Sequence, residues 1–384
     1  MRFFHLSDLH IGKVLHHYSL KEDQVHVLNQ VIEYAKELKP DGIVIAGDIY
    51  DKSVPSAEAV SVFDEFITGL AQITPAIPLL IIGGNHDSGE RLDYGAQIMR
   101  HQNIFIMGTA TDTEGMRKVT LSDEEGEVDF YMLPFFKPSY VRNLLGEEKS
   151  LSYSDTLQEL IGRENIDFLN RRNVLIAHQF FVRGEFVPER SESEVFSVGG
   201  LDRIESSLVE NFDYVALGHI HKEQEIGEEK IRYCGTLLKY SLSEYKDKKE
   251  MLVVEIHQKS AGVLLQHLPI YPLREVRRKK GNLEEILAEA LPEEKKDFVG
   301  ITLTDEGELY QAKERLFSVY ENILEIKIDN QRTRKKIESF EEESQSQNPF
   351  ESFEEFFEEI HGRGLLPEEM EKMKYIFEAV EEGK

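Results

Sequence analysis

Eight side chains in the first part of the chain are of types that hold a cation or move a proton: Asp8, His10, Asp48, Asn85, His86, His178, His219 and His221. Each follows an apolar run. The densest case is Gly218-His219-Ile220-His221, directly after Tyr214-Val215-Ala216-Leu217. Two histidines at i and i+2 in extended backbone point the same way, and a glycine ahead of them lets the chain turn tightly. Alone, this stretch reads equally well as a surface turn that happens to hold two histidines. The design recurs, however. Arg2 to Leu6 leads into Ser7-Asp8-Leu9-His10, and Ile43 to Ala46 into Gly47-Asp48. Pro78 to Ile82 leads into Gly83-Gly84-Asn85-His86-Asp87, and Val174 to Ala177 into His178. A lone Asp at a strand end is most simply a cap; the same arrangement after five runs is a pattern.

Carboxylate, amide and imidazole donors without a thiolate suit Mn, Fe or Zn at an open catalytic site better than a closed structural zinc. Seven such ligands are too many for one tetrahedral ion. They fit two ions about 3.5–4 Å apart that share a carboxylate. Asp48 is the expected bridge, because its two oxygens can be divided between ions.

The elements that must position these residues follow from hydrophobic periodicity. Strands are expected at Arg2 to Leu6, Ile43 to Ala46, Pro78 to Ile82, Val174 to Ala177 and Tyr214 to Leu217. Those without alternation are buried on both faces, as in a central parallel or mixed sheet. Amphipathic helices are expected over Gln24 to Leu38, Ala57 to Leu70, Leu92 to His101 and Leu157 to Gly162. From Ile104 to Pro134 the alternation and turn residues predict antiparallel strands, and Ile231 to Cys234 and Leu252 to His257 continue the β character. The class is α/β, a two-layer or four-layer sandwich, with every polar stretch beyond the carboxyl ends of strands, where open α/β sheets bind ligands.

The composition shifts near Tyr271. Arg274, Arg277, Arg278, Lys279 and Lys280 form the densest basic cluster. A small α/β domain is expected behind it, then a polar linker over 331–349 and two short amphipathic helices to the end at Lys384. The first helix carries Phe353, Phe356, Phe357 and Ile360, the second Met370, Met373 and Phe377.

The 384 residues can bury more than one core. One cysteine, Cys234, excludes an intramolecular disulfide framework. No signal peptide and no apolar stretch of membrane-spanning length are evident, so a cytoplasmic protein is expected. The net charge of −27 argues superficially against nucleic acid. From Lys336 onward, however, fifteen Glu face five Lys or Arg, so a net of −10 sits in the tail. Bound cations would offset more.

Asp8-Leu9-His10, Gly47-Asp48-Ile49-Tyr50-Asp51, Gly84-Asn85-His86-Asp87, His178 and Gly218-His219-Ile220-His221 resemble the five motifs of the calcineurin-like metallophosphoesterases. Phe4 to Gly12, Cys234 to Ser241 and the domain and tail behind them resemble more narrowly the bacterial SbcD family of nuclease subunits. The resemblance implies a four-layer α/β/β/α sandwich core over 1–268, a small α/β capping domain over 269–330 that contacts DNA, the linker, and a partner-binding helix-loop-helix tail over 350–384. It assigns one metal, Mn2+ by preference, to Asp8, His10, Asp48 and His221, and a second to Asp48, Asn85, His178 and His219. It makes His86 the residue that acts on the scissile phosphate. Some relatives have a histidine where this chain has Asp51, which leaves a second catalytic imidazole in doubt. The implied partner is SbcC, an ABC-type coiled-coil ATPase. A homodimer through the helices Ala57 to Leu70 and Leu92 to His101, within a heterotetramer, is also implied.

The expected activity is ATP-dependent DNA cleavage in repair, recombination and replication. It includes exonuclease action on duplex ends and endonuclease action on single strands and hairpins. His86 would protonate the leaving oxygen or stabilise charge on phosphorus. Asp87 would either orient His86 as part of the catalytic pair or serve as a plain turn carboxylate. The basic cluster would either touch DNA phosphates or be a solvated face, and the tail would either be a local core or a partner surface. Two other functions remain open at this point. One is a small-substrate phosphomonoesterase or nucleotide phosphodiesterase; the other is a non-catalytic DNA-end tether.

Overall fold

The structure is a computed structural model that describes residues 1–111, 113–145, 151–194, 202–259, 261–307, 309–333 and 349–381. Most of the expected linker, 334–348, and the last residues of the tail lie outside the described residues. The chain divides into two compact units. The first comprises Met1–Arg278, Pro292–Gly300 and Tyr320–Leu324; the second comprises Lys279–Leu291, Ile301–Val319 and Glu325–Lys384.

Two six-stranded sheets form the first unit. One has the order Val263–Pro269, Glu250–Ile256, Arg2–Leu6, Gly42–Ala46, Leu79–Ile82, Ile104–Met107. Its last four strands are mutually parallel and the first two antiparallel. The other has the order Gln224–Ile226, Glu228–Tyr233, Tyr214–Gly218, Arg172–His178, Gly126–Leu133, Arg117–Asp123, with a parallel centre and antiparallel edges.

Alternation within the strands explains the layers, because successive side chains take opposite faces. Phe3, Val44, Ala46, Leu80 and Ile82 of the first sheet face Phe130, Met132, Val174, Ile176, Tyr214 and Ala216 of the second. Phe4, Leu6, Ile43, Ile45, Leu79 and Ile81 turn the other way, against Val27, Val31 and Ala35 of helix Lys21–Leu38 and Phe63, Phe66 and Leu70 of helix Ala57–Ala71. The outer face of the second sheet is covered by helix Tyr153–Arg163 through Leu157 and Leu160. The result is the expected α/β/β/α sandwich. Both sheets are apolar on both faces, which is why their strands read as unbroken apolar runs.

Two expectations need correction. Ile104–Met107 is a parallel edge strand of the first sheet, paired with Leu79–Ile82, and not part of an antiparallel set. The four-residue run carries no signal of its neighbour. The helix expected over Leu92 to His101 is instead three short pieces, Gly89–Leu92, Ala96–Met99 and Arg100–Gln102. Gly95 takes a φ of 76° and interrupts it.

Within the second unit, helix Leu283–Ala288 starts on a capping box, Asn282 accepting from the Glu285 amide and Glu285 from the Asn282 amide. Helix Ala312–Val319 packs on it. The tail forms helices Pro349–His361 and Pro367–Glu381, with Gly362 at a φ of 64° after the first. Among the described residues no helix is long and apolar enough to cross a membrane.

Candidate metal centre

The parallel strands of both sheets end at one edge, and their polar ends meet there. His178 closes strand Arg172–His178, and its Nδ1 lies 2.7 Å from the Ala46 carbonyl oxygen of the other sheet. A carbonyl only accepts, so Nδ1 carries the proton and Nε2 is left as a donor atom. That Nε2 is 3.4 Å from Asp48 Oδ2 and 3.1 Å from Asn85 Oδ1. Asn85 Oδ1 is also 2.9 Å from His219 Nδ1. On the other side of Asp48, its Oδ2 lies 3.6 Å from His10 Nε2, which is 3.1 Å from His221 Nε2. Atoms of Asp8, His10 and His221 converge, and so do atoms of Asp8, Asp48 and His178.

All seven donors are thus in contact around Asp48 and Asp8. Four of them are held in left-handed backbone: φ is 51° at Asp8, 42° at His10, 51° at Asp48 and 104° at His219. Such values cost about 1–3 kcal/mol each and persist where surrounding structure imposes them. The neighbouring glycines show how closely the parts approach. A β-carbon at Gly218 would overlap the Ala46 carbonyl oxygen, and one at Gly84 would overlap the Asp48 carboxylate.

The electrostatics fit cations. Burial pushes the Asp8 carboxyl up to about 7, opposed by the His178 imidazole. Burial also acts on Asp48, yet the charge and hydrogen bond of His178 hold it well below the carboxylate range. Despite burial, Asp48 raises His178 to about 9. Burial lowers His10 and His219 to about 3 and His221 well below its ordinary value. His10, His219 and His221, kept neutral beside buried carboxylates, are donors suited to divalent metal, and His10 Nδ1 is a buried nitrogen without a hydrogen-bond partner.

His86 stands at the edge of this set, its ring edge-on to His10 at 4.8 Å between centroids. Its amide donates to Asp48 Oδ1, and its Nδ1 lies 2.9 Å from the Asp51 carbonyl oxygen. Asp87, weighed above as its orienting group, is engaged elsewhere. Its carboxylate accepts from the amides of Ile49, Tyr50 and Gly84 and fixes the two loops to each other. The Asp51 carboxylate pairs with Lys13 at 2.8 Å and approaches His10 Nδ1 at 3.7 Å.

A shell of residues not singled out in the sequence surrounds the donors. The Gln24 amide donates to the His10 carbonyl, and the Tyr240 hydroxyl to that of Leu9. Ser193 Oγ is 2.7 Å from His221 Nδ1, and Glu194 Oε1 accepts from the His221 amide.

Comparison with known proteins shows the family. The calcineurin-like phosphoesterase model matches residues 1–223. The chain is 32% identical over 389 residues to the SbcD protein of Staphylococcus saprophyticus, part of the nuclease SbcCD, covering all of both chains. The chain belongs to the SbcD branch of the calcineurin-like phosphoesterases. It is a metal-dependent nuclease. The SbcD protein of Staphylococcus epidermidis is 30% identical over 98% of each chain. A family model described as the type 5 capsule protein repressor C-terminal domain matches residues 272–361. A dimetal phosphatase structure from Danio rerio is similar at a TM-score of 0.40 and 10% identity, over 71% of this chain and 99% of that one, too loose a likeness to argue from.

The basic cluster spends much of its charge internally. Arg274 pairs with Asp23 and lies over the Phe298 ring, and Arg277 pairs with Asp297 at 2.6 Å. Arg278 lies over Tyr245, Lys280 pairs with Asp329 at 2.7 Å, and Lys279 is also engaged. In the tail, Phe353 and Phe377 meet at 5.8 Å, and Phe357 lies against His361. Met370 and Met373 are half-buried, whereas Phe356 and Ile360 are exposed.

Proposed function

We propose that this chain is the nuclease component of an ATP-dependent DNA double-strand nuclease that works in the cytoplasm in repair, recombination and replication. It acts as an exonuclease on duplex ends and an endonuclease on single strands and hairpins. The observation that carries this reading is the convergence of seven donors from two sheets with the His86 ring beside them. Asp8, His10, Asp48 and His221 would hold one ion, and Asp48, Asn85, His178 and His219 the other. When bound, two divalent cations, Mn2+ by preference, polarise the scissile phosphate and supply a hydroxide nucleophile at neutral pH. In its imidazolium form His86 keeps the Nδ1 proton on the Asp51 carbonyl oxygen and gives the Nε2 proton to the leaving oxygen, ending as the neutral Nδ1-protonated ring.

The assembly is a homodimer bound to an SbcC-like coiled-coil ATPase. Tyr94 and Ile98 are exposed at 85% and 75% and offer apolar surface to a second copy, as Phe356 and Ile360 of the tail offer it to the ATPase. Arg278, Lys279 and Lys280 serve as phosphate contacts on DNA.

The test is cleavage of a labelled duplex with a hairpin end in Mn2+, in Mg2+ and in EDTA, beside bis-p-nitrophenyl phosphate. Cutting in Mn2+ that stops in EDTA and in His86→Asn is the expected result. Turnover of the small ester with DNA left intact, even after adding the ATPase partner and ATP, would overturn the reading.

A further inference from the structure

His221 is gripped on three sides by residues that belong to no phosphoesterase motif. Its amide donates to Glu194 Oε1 at 2.8 Å. Its carbonyl accepts from Lys249 Nζ at 3.1 Å. Its Nδ1 lies 2.7 Å from Ser193 Oγ. Ser193 in turn donates to Glu244 Oε1 at 3.1 Å, and Glu244 Oε2 pairs with Lys249 at 2.8 Å. Glu244 is only 2% exposed and also accepts from Ser241 and the Tyr240 amide.

The direction of this chain follows from proton counting. The Glu244 carboxylate, paired with Lys249, can only accept. The single hydroxyl proton of Ser193 is therefore given to Glu244, and Ser193 must accept from its other neighbours. One is Ser191 Oγ at 2.7 Å, whose hydroxyl proton is shared between Ser193 Oγ and the more distant Glu194 Oε1 at 3.4 Å. The other is His221 Nδ1, which has to carry the imidazole proton. Nε2 is then left with its lone pair toward His10 Nε2, 3.1 Å away. Of the two neutral tautomers, only this one offers a metal donor there.

We infer that Ser193 and Glu244 are positioning residues for the metal centre: the Lys249–Glu244–Ser193 relay locks His221 in its Nδ1-protonated tautomer and so sets the affinity of one of the two ions. The two segments involved lie about thirty and twenty residues to either side of His221 in sequence, and their role rests on contact alone. The inference rests on the ligand role proposed for His221.

The experiment is calorimetric titration of Mn2+ into metal-stripped full-length protein, with nitrogen-15 histidine spectra to read the His221 tautomer. In Ser193→Ala one ion should bind about 10- to 100-fold more weakly, with the other unchanged and the tautomers mixed. Ser193→Thr, which keeps the hydroxyl, should stay near wild type, and Glu244→Gln should resemble Ser193→Ala. Thermal melts show which variants fold; if Glu244→Gln does not, the Ser193 pair decides. Unchanged affinity and tautomer in folded Ser193→Ala would overturn the inference. His221→Ala separates the two levels. If it still binds both ions normally, the ligand assignment fails; if it loses one ion and Ser193→Ala does not, only the relay fails.

Discussion

Asp8, His10, Asp48 and His219 sit in backbone conformations that most side chains avoid, so the site is pre-shaped at a cost the rest of the fold bears. Replacing a strand-end glycine should therefore be felt strongly. Gly218→Ala would force its β-carbon into the Ala46 carbonyl oxygen, and a loss of about 1–3 kcal/mol is expected in urea unfolding. His86→Asn should behave oppositely. Stability and Mn2+ affinity stay, while kcat falls by about 10²–10⁴, the usual contribution of a general acid; a parallel loss of metal binding would reassign His86 as a ligand. At this scale the donors were legible because each follows an apolar run that had to be a strand. Ser193, Glu244 and Lys249 were not, since no spacing links them to His221 and only folding brings them there. Asp87 illustrates the limit further: adjacency to His86 in sequence did not mean contact, because three backbone amides compete for its oxygens.

Between elements, apolar pairing does most of the joining and one charged cluster adds to it. Phe3 packs edge-on against Phe130 and Tyr214 across the two sheets, at 5.4 and 5.7 Å between centroids. Phe3→Ala should cost about 3–5 kcal/mol in equilibrium unfolding, because the flanking strands cannot collapse into the gap. Arg172 reaches Asp123 at 2.6 and 2.9 Å and the carbonyls of Gly126, Ile256 and His257, joining strands of both sheets. Its guanidinium holds the Asp123 carboxyl well below the usual range. A carboxyl whose folded pKa is depressed adds stability in full above its unfolded pKa, about 3.9, and loses it as pH falls toward the folded value. Melting curves of wild type and Arg172→Met should thus differ most above about pH 4 and converge in acid; a constant gap would exclude the ion pair as the cause. Buried strands were legible from their continuous apolar runs, and the two long helices from their spacing. The edge strand Ile104–Met107 and the broken helix around Gly95 were not, because pairing partners and a left-handed glycine leave no periodic trace.

For the molecule as a whole, the formal charge of −27 hides a site built for cations and an anionic polymer. A divalent cation held by the folded chain and not by the unfolded one raises the melting temperature by mass action, so the melting temperature should climb with Mn2+ concentration and fall back when EDTA is added. No such response would mean that the donors do not hold an ion. The sequence disclosed the sandwich through periodicity, but ion pairs that quench Arg274 and Arg277 depend on partners elsewhere in the chain. Asp8, His10, Asp48 and Asn85 hang from one sheet, His178, His219 and His221 from the other. Neither half holds a complete set. The seven donors therefore come together only once both sheets have closed on each other, so the completed fold and the assembled cluster are one event.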